Sequence, residues 1–206
     1  MREFFHSKIL LTTSHRPSRN ARRLVKVLAK LIPGCTKINR GKLTFKLLAL
    51  QALDLNCDKL IVVRNRKGNP GYLDLYAVKP FGELIKECTV KLCGYSVSAN
   101  YYNKIATSIQ RVLLNLMPAL ISNTVDIDTE FKIRTLECII KIFNATVVSK
   151  NMNIERNEND VCMHITIPKI GKKSCTKKRN LIEITFTRCS NGEKLLSLNI
   201  CYNSYG

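Results

Sequence analysis

Lys8 to Gly41 reads KILLTTSHRPSRNARRLVKVLAKLIPGCTKINRG. Its first six residues are an apolar run of strand length, ending in Thr12 and Thr13. A polar turn with Pro17 in it follows, and Ser18 is placed to cap a helix. At about 100° per residue, Ala21, Leu24, Val25, Val27, Leu28, Leu31 and Ile32 share one side of that helix. Arg19, Arg22, Arg23, Lys26 and Lys30 share the other. Pro33-Gly34 ends the helix, and a second tight turn, Ile38-Asn39-Arg40-Gly41, closes the unit.

The apolar side must bury against a sheet, which leaves an all-basic ridge in water. Like charges three and four residues apart repel and cost helix stability. Stability alone would intersperse glutamates, so the ridge is better explained by a polyanion that neutralises it. Ser14, Arg16, Ser18 and the helix N-terminus, with its free N–H groups, extend the ridge into a phosphate pocket. Arg40 and Lys42 in the next turn, then Arg64, Arg66 and Lys67 further on, are expected to add cations to the same surface.

The charge count agrees. The chain carries 34 Lys/Arg against 15 Asp/Glu, a net charge of +19. Residues 1–70 hold 16 of those cations against 3 acids. The run KIGKKSCTKKR, Lys169 to Arg179, adds 6 cations and no acid, and the remainder is neutral. Lys172, Lys173, Lys177, Lys178 and Arg179 are therefore a secondary basic arm. An excess confined to two places points to nucleic acid rather than to a general solubilising coat.

Along the rest of the chain, residues 43–55 read as a second helix. Lys59–Val63 and Tyr72–Val78 read as a hairpin around Arg66-Lys67-Gly68-Asn69-Pro70-Gly71. The residues around Pro80 to Glu83 read as a junction. After it come a strand (89–98), helices over 101–117 and 130–144, a strand (161–167) and a hairpin, 181–187 with 194–202, turning at Asn191-Gly192. The expected fold is α/β (α+β): two similar β-α-α-β-β halves, about 1–82 and 83–206, with helices packed on sheets.

Catalytic patterns are weak. No Gly-x-Ser-x-Gly, His-Glu-x-x-His or paired-carboxylate motif occurs, so neither an enzyme, a cofactor nor a metal is expected. Asp126, Asp128 and Glu130 are read as helix-capping acids. Nine cysteines lie mostly in apolar runs with no Cys-x-x-Cys, and are expected to be buried reduced thiols. No signal peptide is read in the first residues, and a cytoplasmic protein without membrane contact or a small-molecule substrate is expected.

Several of these residues occur together in one known pattern. Thr12-Thr13-Ser14-His15-Arg16-Pro17-Ser18, Ile32-Pro33-Gly34 and Ile38-Asn39-Arg40-Gly41 resemble the Brix-domain family. Asp58 to Val63 and Gly68-Asn69-Pro70-Gly71-Tyr72-Leu73 extend the resemblance over about the first 80 residues. The spacing is similar to the short archaeal-type members, close to the small-subunit-processing branch. Val78-Lys79-Pro80-Phe81-Gly82-Glu83 stands where many relatives carry a Leu-Pro-x-Gly-Pro-Thr-like stretch. The resemblance implies a single Brix domain over 1–206, with each half like the anticodon-binding domain of class II aminoacyl-tRNA synthetases. It also implies a ribosome biogenesis factor that binds precursor rRNA, with pre-ribosomal proteins as further partners. The alternative carried beside it is a module for tRNA or for structured RNA in general.

Overall fold

Ile9–Thr13 (β1) is buried along its whole length, because a helix lies on each of its faces. In the computed structural model, which describes residues 7–99, 101, 109–115, 127–148, 156–166 and 180–202, β1 is the middle of three parallel strands. Cys35–Lys37 (β2) pairs on one side and Lys59–Arg66 (β3) on the other. Ile9, Leu11, Ile61 and Val63 point to the face covered by Arg19–Leu31 (α1). Leu10, Leu60 and Val62 point to the face covered by Phe45–Asp54 (α2). Alternation along a strand covered on both faces explains why β1 reads as a continuous apolar run.

Both helices start on capped N-termini. Ser18 Oγ accepts from Ala21 N at 3.1 Å, and Thr44 Oγ1 accepts from Leu47 N at 3.3 Å. After β3 the chain turns through Lys67 (φ 49) and Gly68 (φ 78) into Asn69–Lys79 (β4). Two central residues with positive φ make the turn that matches the twist of a two-residue hairpin.

Glu83–Val97 (β5) is long enough to serve two partners. Residues 83–91 pair with β4, from Lys79–Glu83 to Tyr72–Lys91. From Leu92 to Val97 the same strand pairs instead with Lys194–Tyr202 (β10). The remaining elements are Arg111–Asn115 (β6), Ile127–Ile142 (α3), Ala145–Val148 (β7), Asp160–Thr166 (β8) and Asn180–Arg188 (β9). Among the described residues the strands form one sheet in the order β2-β1-β3-β4-β5-β10-β9-β8-β6-β7. β6 pairs parallel with β7 and β8, and β8, β9 and β10 then pair antiparallel in turn. The pairing of β1–β5 is thus met again in β6–β10. One core runs beneath α1 and α3 across this sheet, from Leu24 and Leu28 to Ile139 and Phe143. Tyr101 is buried in it and donates from its hydroxyl to Val27 O at 2.7 Å.

Three expectations are corrected. The order β-α-α-β-β omits β2 and β7, strands too short to show a period. Residues 111–115, expected inside a helix, form β6, and the rest of that expected helix lies mostly outside the described residues. Val112, Leu113 and Leu114 are buried on both faces of β6, and a short apolar run of that kind has no period to separate strand from helix. Residues 80–82, read as a junction, form a tight turn between β4 and β5. The β9–β10 connection takes residues 189–193, longer than the two-residue turn expected.

The cysteines are corrected too. Among the described residues three pairs are bonded: Cys88–Cys138 joins β5 to α3, Cys93–Cys201 joins β5 to β10, and Cys162–Cys189 joins β8 to the residue after β9. Their Cα separations of 6.0, 5.8 and 5.0 Å lie in the range a disulfide requires. Sequence cannot foresee such pairings, because the partners are 27 to 108 residues apart. Cys35 and Cys57 keep free thiols, and burial, with Cys57 beside it, pushes Cys35 up to about 12.

Asp74 on β4 is the buried carboxylate on the α2 side. It accepts from Arg64 and from Thr89 Oγ1 at 2.7 Å, with Lys86 Nζ at 3.2 Å. Burial pushes its carboxyl up, but these donors outweigh burial and hold it below the usual carboxylate range. Its contribution to stability is therefore complete above the unfolded-state value near ~4 and lost as pH falls further. Asp74→Asn should cost about 2–3 kcal/mol, less than for a fully buried pair because Arg64 and Lys86 are half exposed. Urea unfolding from pH 7 to pH 2 checks this: the variant should lose the steepest part of the acid limb.

Candidate nucleic-acid interface

The ridge read from the sequence is present on α1. Ala21, Leu24, Val25, Val27, Leu28 and Leu31 are buried, while Arg19, Arg22, Arg23, Lys26 and Lys30 are exposed. Burial of these side chains contributes on the order of 10 kcal/mol at ~1.5–3 kcal/mol for each larger one. Repulsion among the five cations, at ~0.2–0.5 kcal/mol per neighbouring pair, is several times smaller. Packing therefore decides the helix's rotation, and the cations go where packing leaves them. Arg19, Arg22, Arg23 and Lys26 line one shallow depression of about 780 Å³ with Asn20. The first turn of α1 contains no acidic residue to satisfy its positive dipole end.

The turn before α1 is built, not floppy. Ser14 N donates to Val63 O at 2.9 Å, tying the turn to β3. Asn65, also on β3, accepts from Ser18 Oγ at 3.2 Å and donates from Nδ2 to Arg16 O at 3.3 Å. These bonds hold Arg16 at φ 48, an uncommon conformation for a non-glycine residue and one disfavoured before proline. Its side chain is exposed beside the start of the ridge. His15 Nδ1 lies 3.2 Å from Gly41 O, so the turn carrying the exposed Lys42 abuts this one.

The hairpin tip joins the ridge from the other side. Asn20 Nδ2 donates to Asn69 Oδ1 at 2.8 Å, and Tyr95 on β5 donates from its hydroxyl to Asn20 O at 3.2 Å. Arg66 and Lys67 are exposed there, in a cleft that shares Asn20 with the α1 depression. The structure thus brings Arg16, Arg19, Arg22, Arg23, Lys26, Arg66 and Lys67 onto one side, with Lys42 near its edge.

Two sequence candidates are elsewhere. Arg40 is 5% exposed; its Nε donates to Leu43 O at 3.2 Å and its guanidinium stands 4.6 Å over the Phe45 ring. Burial holds it below the usual arginine range. Arg64 is bonded to Asp74 and stacked 4.6 Å over Tyr72, and the bond to Asp74 raises its pKa. Both serve the α2 face, opposite the ridge. Sequence marks them as turn cations but cannot show which way each side chain goes. Lys172, Lys173, Lys177, Lys178 and Arg179 lie outside the described residues. Among the described residues no group of three or more His, Cys, Asp or Glu could hold a metal ion.

Comparison with known proteins places these features in a family context. No family model matches the chain. A stretch of 69 residues, 34% of the chain, is 42% identical to a "Probable Brix domain-containing ribosomal biogenesis protein" of Aeropyrum pernix. This third of the chain is homologous to Brix-domain ribosomal biogenesis proteins. The relative of that description in Pyrococcus horikoshii is 36% identical over 72 residues. The matched stretches span 38% and 32% of these two Brix relatives, about a third of their length. The fold likeness extends further. The crystal structure of a probable ribosomal biogenesis protein from Aeropyrum pernix K1 superposes over 96% of this chain and 97% of its own, with a TM-score of 0.68 at 22% identity. Mil, an archaeal Imp4-like protein, superposes over 93% of this chain and 95% of its own, with a TM-score of 0.55 at 16% identity. The fold of these two structures is therefore shared along nearly the whole chain, while the sequence similarity to the Brix relatives covers a third of it.

Asn65 is the residue that sequence reading missed at this turn. Ser18→Ala and Asn65→Ala should each destabilise the protein by about 1 kcal/mol. A double-mutant cycle in urea should show coupling of about 0.5–1 kcal/mol, because the two side chains bond one another.

Proposed function

We propose that this chain is a non-enzymatic ribosome biogenesis factor that binds precursor rRNA in the cytoplasm. The observation that carries the proposal is the joining of the α1 ridge to the hairpin tip in one cationic surface, with no acid among the described residues that line it. A row of cations along one helix neutralises successive phosphates, and the N-terminus of α1 accepts one more. The ribosomal-biogenesis descriptions of the relatives supply the class of RNA. We further read the chain as one Brix domain, 1–206, of two related halves, each like an anticodon-binding domain. The pairing met twice, in β1–β5 and in β6–β10, supports two related halves. Pre-ribosomal proteins are the expected further partners. No described helix is long and apolar enough to cross a membrane.

In this mechanism the protein does no chemistry on the RNA. It offers phosphates a preformed surface whose side chains are anchored on a packed helix, so an RNA segment can be held for folding or pairing at little ordering cost. Arg19→Glu, Arg22→Glu and Arg23→Glu together should abolish binding to precursor rRNA fragments while the circular dichroism spectrum is unchanged. Arg22→Gln with Arg23→Gln should reduce the slope of log affinity against log salt by about 2. Unchanged affinity of the triple variant at moderate salt would remove α1 from the interface.

A further inference from the structure

The ladder between β4 and β5 ends at Tyr72–Lys91, and β5 then swings to β10. The two strands open like a fork at the hairpin tip, where a cleft of about 580 Å³ lies. That is within the size range of pockets for small organic ligands. Its lining is unlike an apolar groove. Pro70, Gly71 and Gly94 line part of the wall, and Gly71 packs against Arg66, which a Cβ there would overlap. Asn20 and Asn69, bonded to one another, both line the cleft, and each amide has a second group, Asn20 Oδ1 an acceptor and Asn69 Nδ2 a donor. Tyr95 stands at the wall, its ring fixed by the hydroxyl bond to Asn20 O. Arg66 and Lys67 lie on one side of the cleft, and Arg19 and Arg23 in the depression that shares Asn20.

We propose that this cleft receives the base of a single unpaired nucleotide in an RNA strand whose phosphates run along the α1 ridge. The proposal rests on the RNA-binding reading above and adds a specificity site to it. The Asn20 and Asn69 amides carry an acceptor and a donor that suit the edge of a base, and the ring of Tyr95 at the wall offers stacking. The cations on either side meet the flanking phosphates. A base still stacked in a duplex cannot enter, so the cleft selects RNA with a bulged or looped nucleotide.

Fluorescence anisotropy with the full chain tests this, using five RNA hairpins of one stem: four with a single bulged A, C, G or U and one fully paired. At least one bulged hairpin should bind tenfold or more tightly than the paired one. Asn69→Ala and, separately, Tyr95→Ala should each cut the ratio of bulged to paired affinity at least fivefold, both affinities being measured with the same variant. Asn69 is exposed at the hairpin tip, so its variant carries the test should Tyr95→Ala fail to fold. Equal affinity for all five RNAs, or a preference that survives Asn69→Ala, overturns the nucleotide site while leaving the ridge intact. Free nucleoside monophosphates that compete as well as the bulged hairpin overturn an RNA-borne ligand. Failure to bind any of the five overturns the RNA reading and this site with it.

Discussion

The packing of one side of α1 on β1, β3 and β4 is the contact on which the rest of the molecule's surface depends. Six buried side chains set the rotation of the helix, and no cation on it could turn inward without losing them. The ridge is therefore rigid in a way that a basic loop is not. Its anchoring is reinforced at its start and in its body. The Asn65 bridge fixes the entry turn, and Tyr101 bonds to the carbonyl of Val27 in the helix body. A cationic row held so firmly repels itself continuously, at a cost that burial exceeds several times over.

The same sheet gives its other face a different chemistry. α2 buries Leu48, Ala49 and Ala52 but leaves Phe45, Leu47, Leu50 and Leu55 partly exposed. Cations near it are drawn into structural work: Arg40 over Phe45, Arg64 and Lys86 on Asp74. The cations of the α1 ridge are exposed, while Arg40, Arg64 and Lys86 on the other face are stacked or paired within the fold. β5 carries this arrangement across the molecule. By leaving β4 for β10 it joins the two sets of strands, and the parting of the strands creates the cleft beside the ridge.

Much of the first 80 residues was legible because their signals are local. Helical spacing separated the two sides of α1, Ser18 marked its start, and Pro33-Gly34 its end. The hairpin tip was marked by Lys67-Gly68. What escaped were features set by distant partners. Asn65 gains its role only when β3 lies beside the turn at residues 14–18, and Tyr95 reaches Asn20 across 75 residues of sequence. Arg40 and Arg64 looked like their exposed neighbours because charge alone does not report which sheet face a side chain takes. The second half was harder for a physical reason. β6 is covered on both faces and has no alternation, and β7 is only four residues long. The disulfides join residues that no local pattern relates.

The account's central claim is that RNA meets the α1 side of the sheet and not the α2 side. Photocrosslinking the full chain to a 4-thiouridine-labelled precursor rRNA fragment, with mass spectrometry of the adducts, tests that claim most directly. The account predicts adducts within residues 16–30 and 66–69 and none within residues 45–54. Adducts concentrated on α2 and around Arg40, with α1 unmodified, would contradict it.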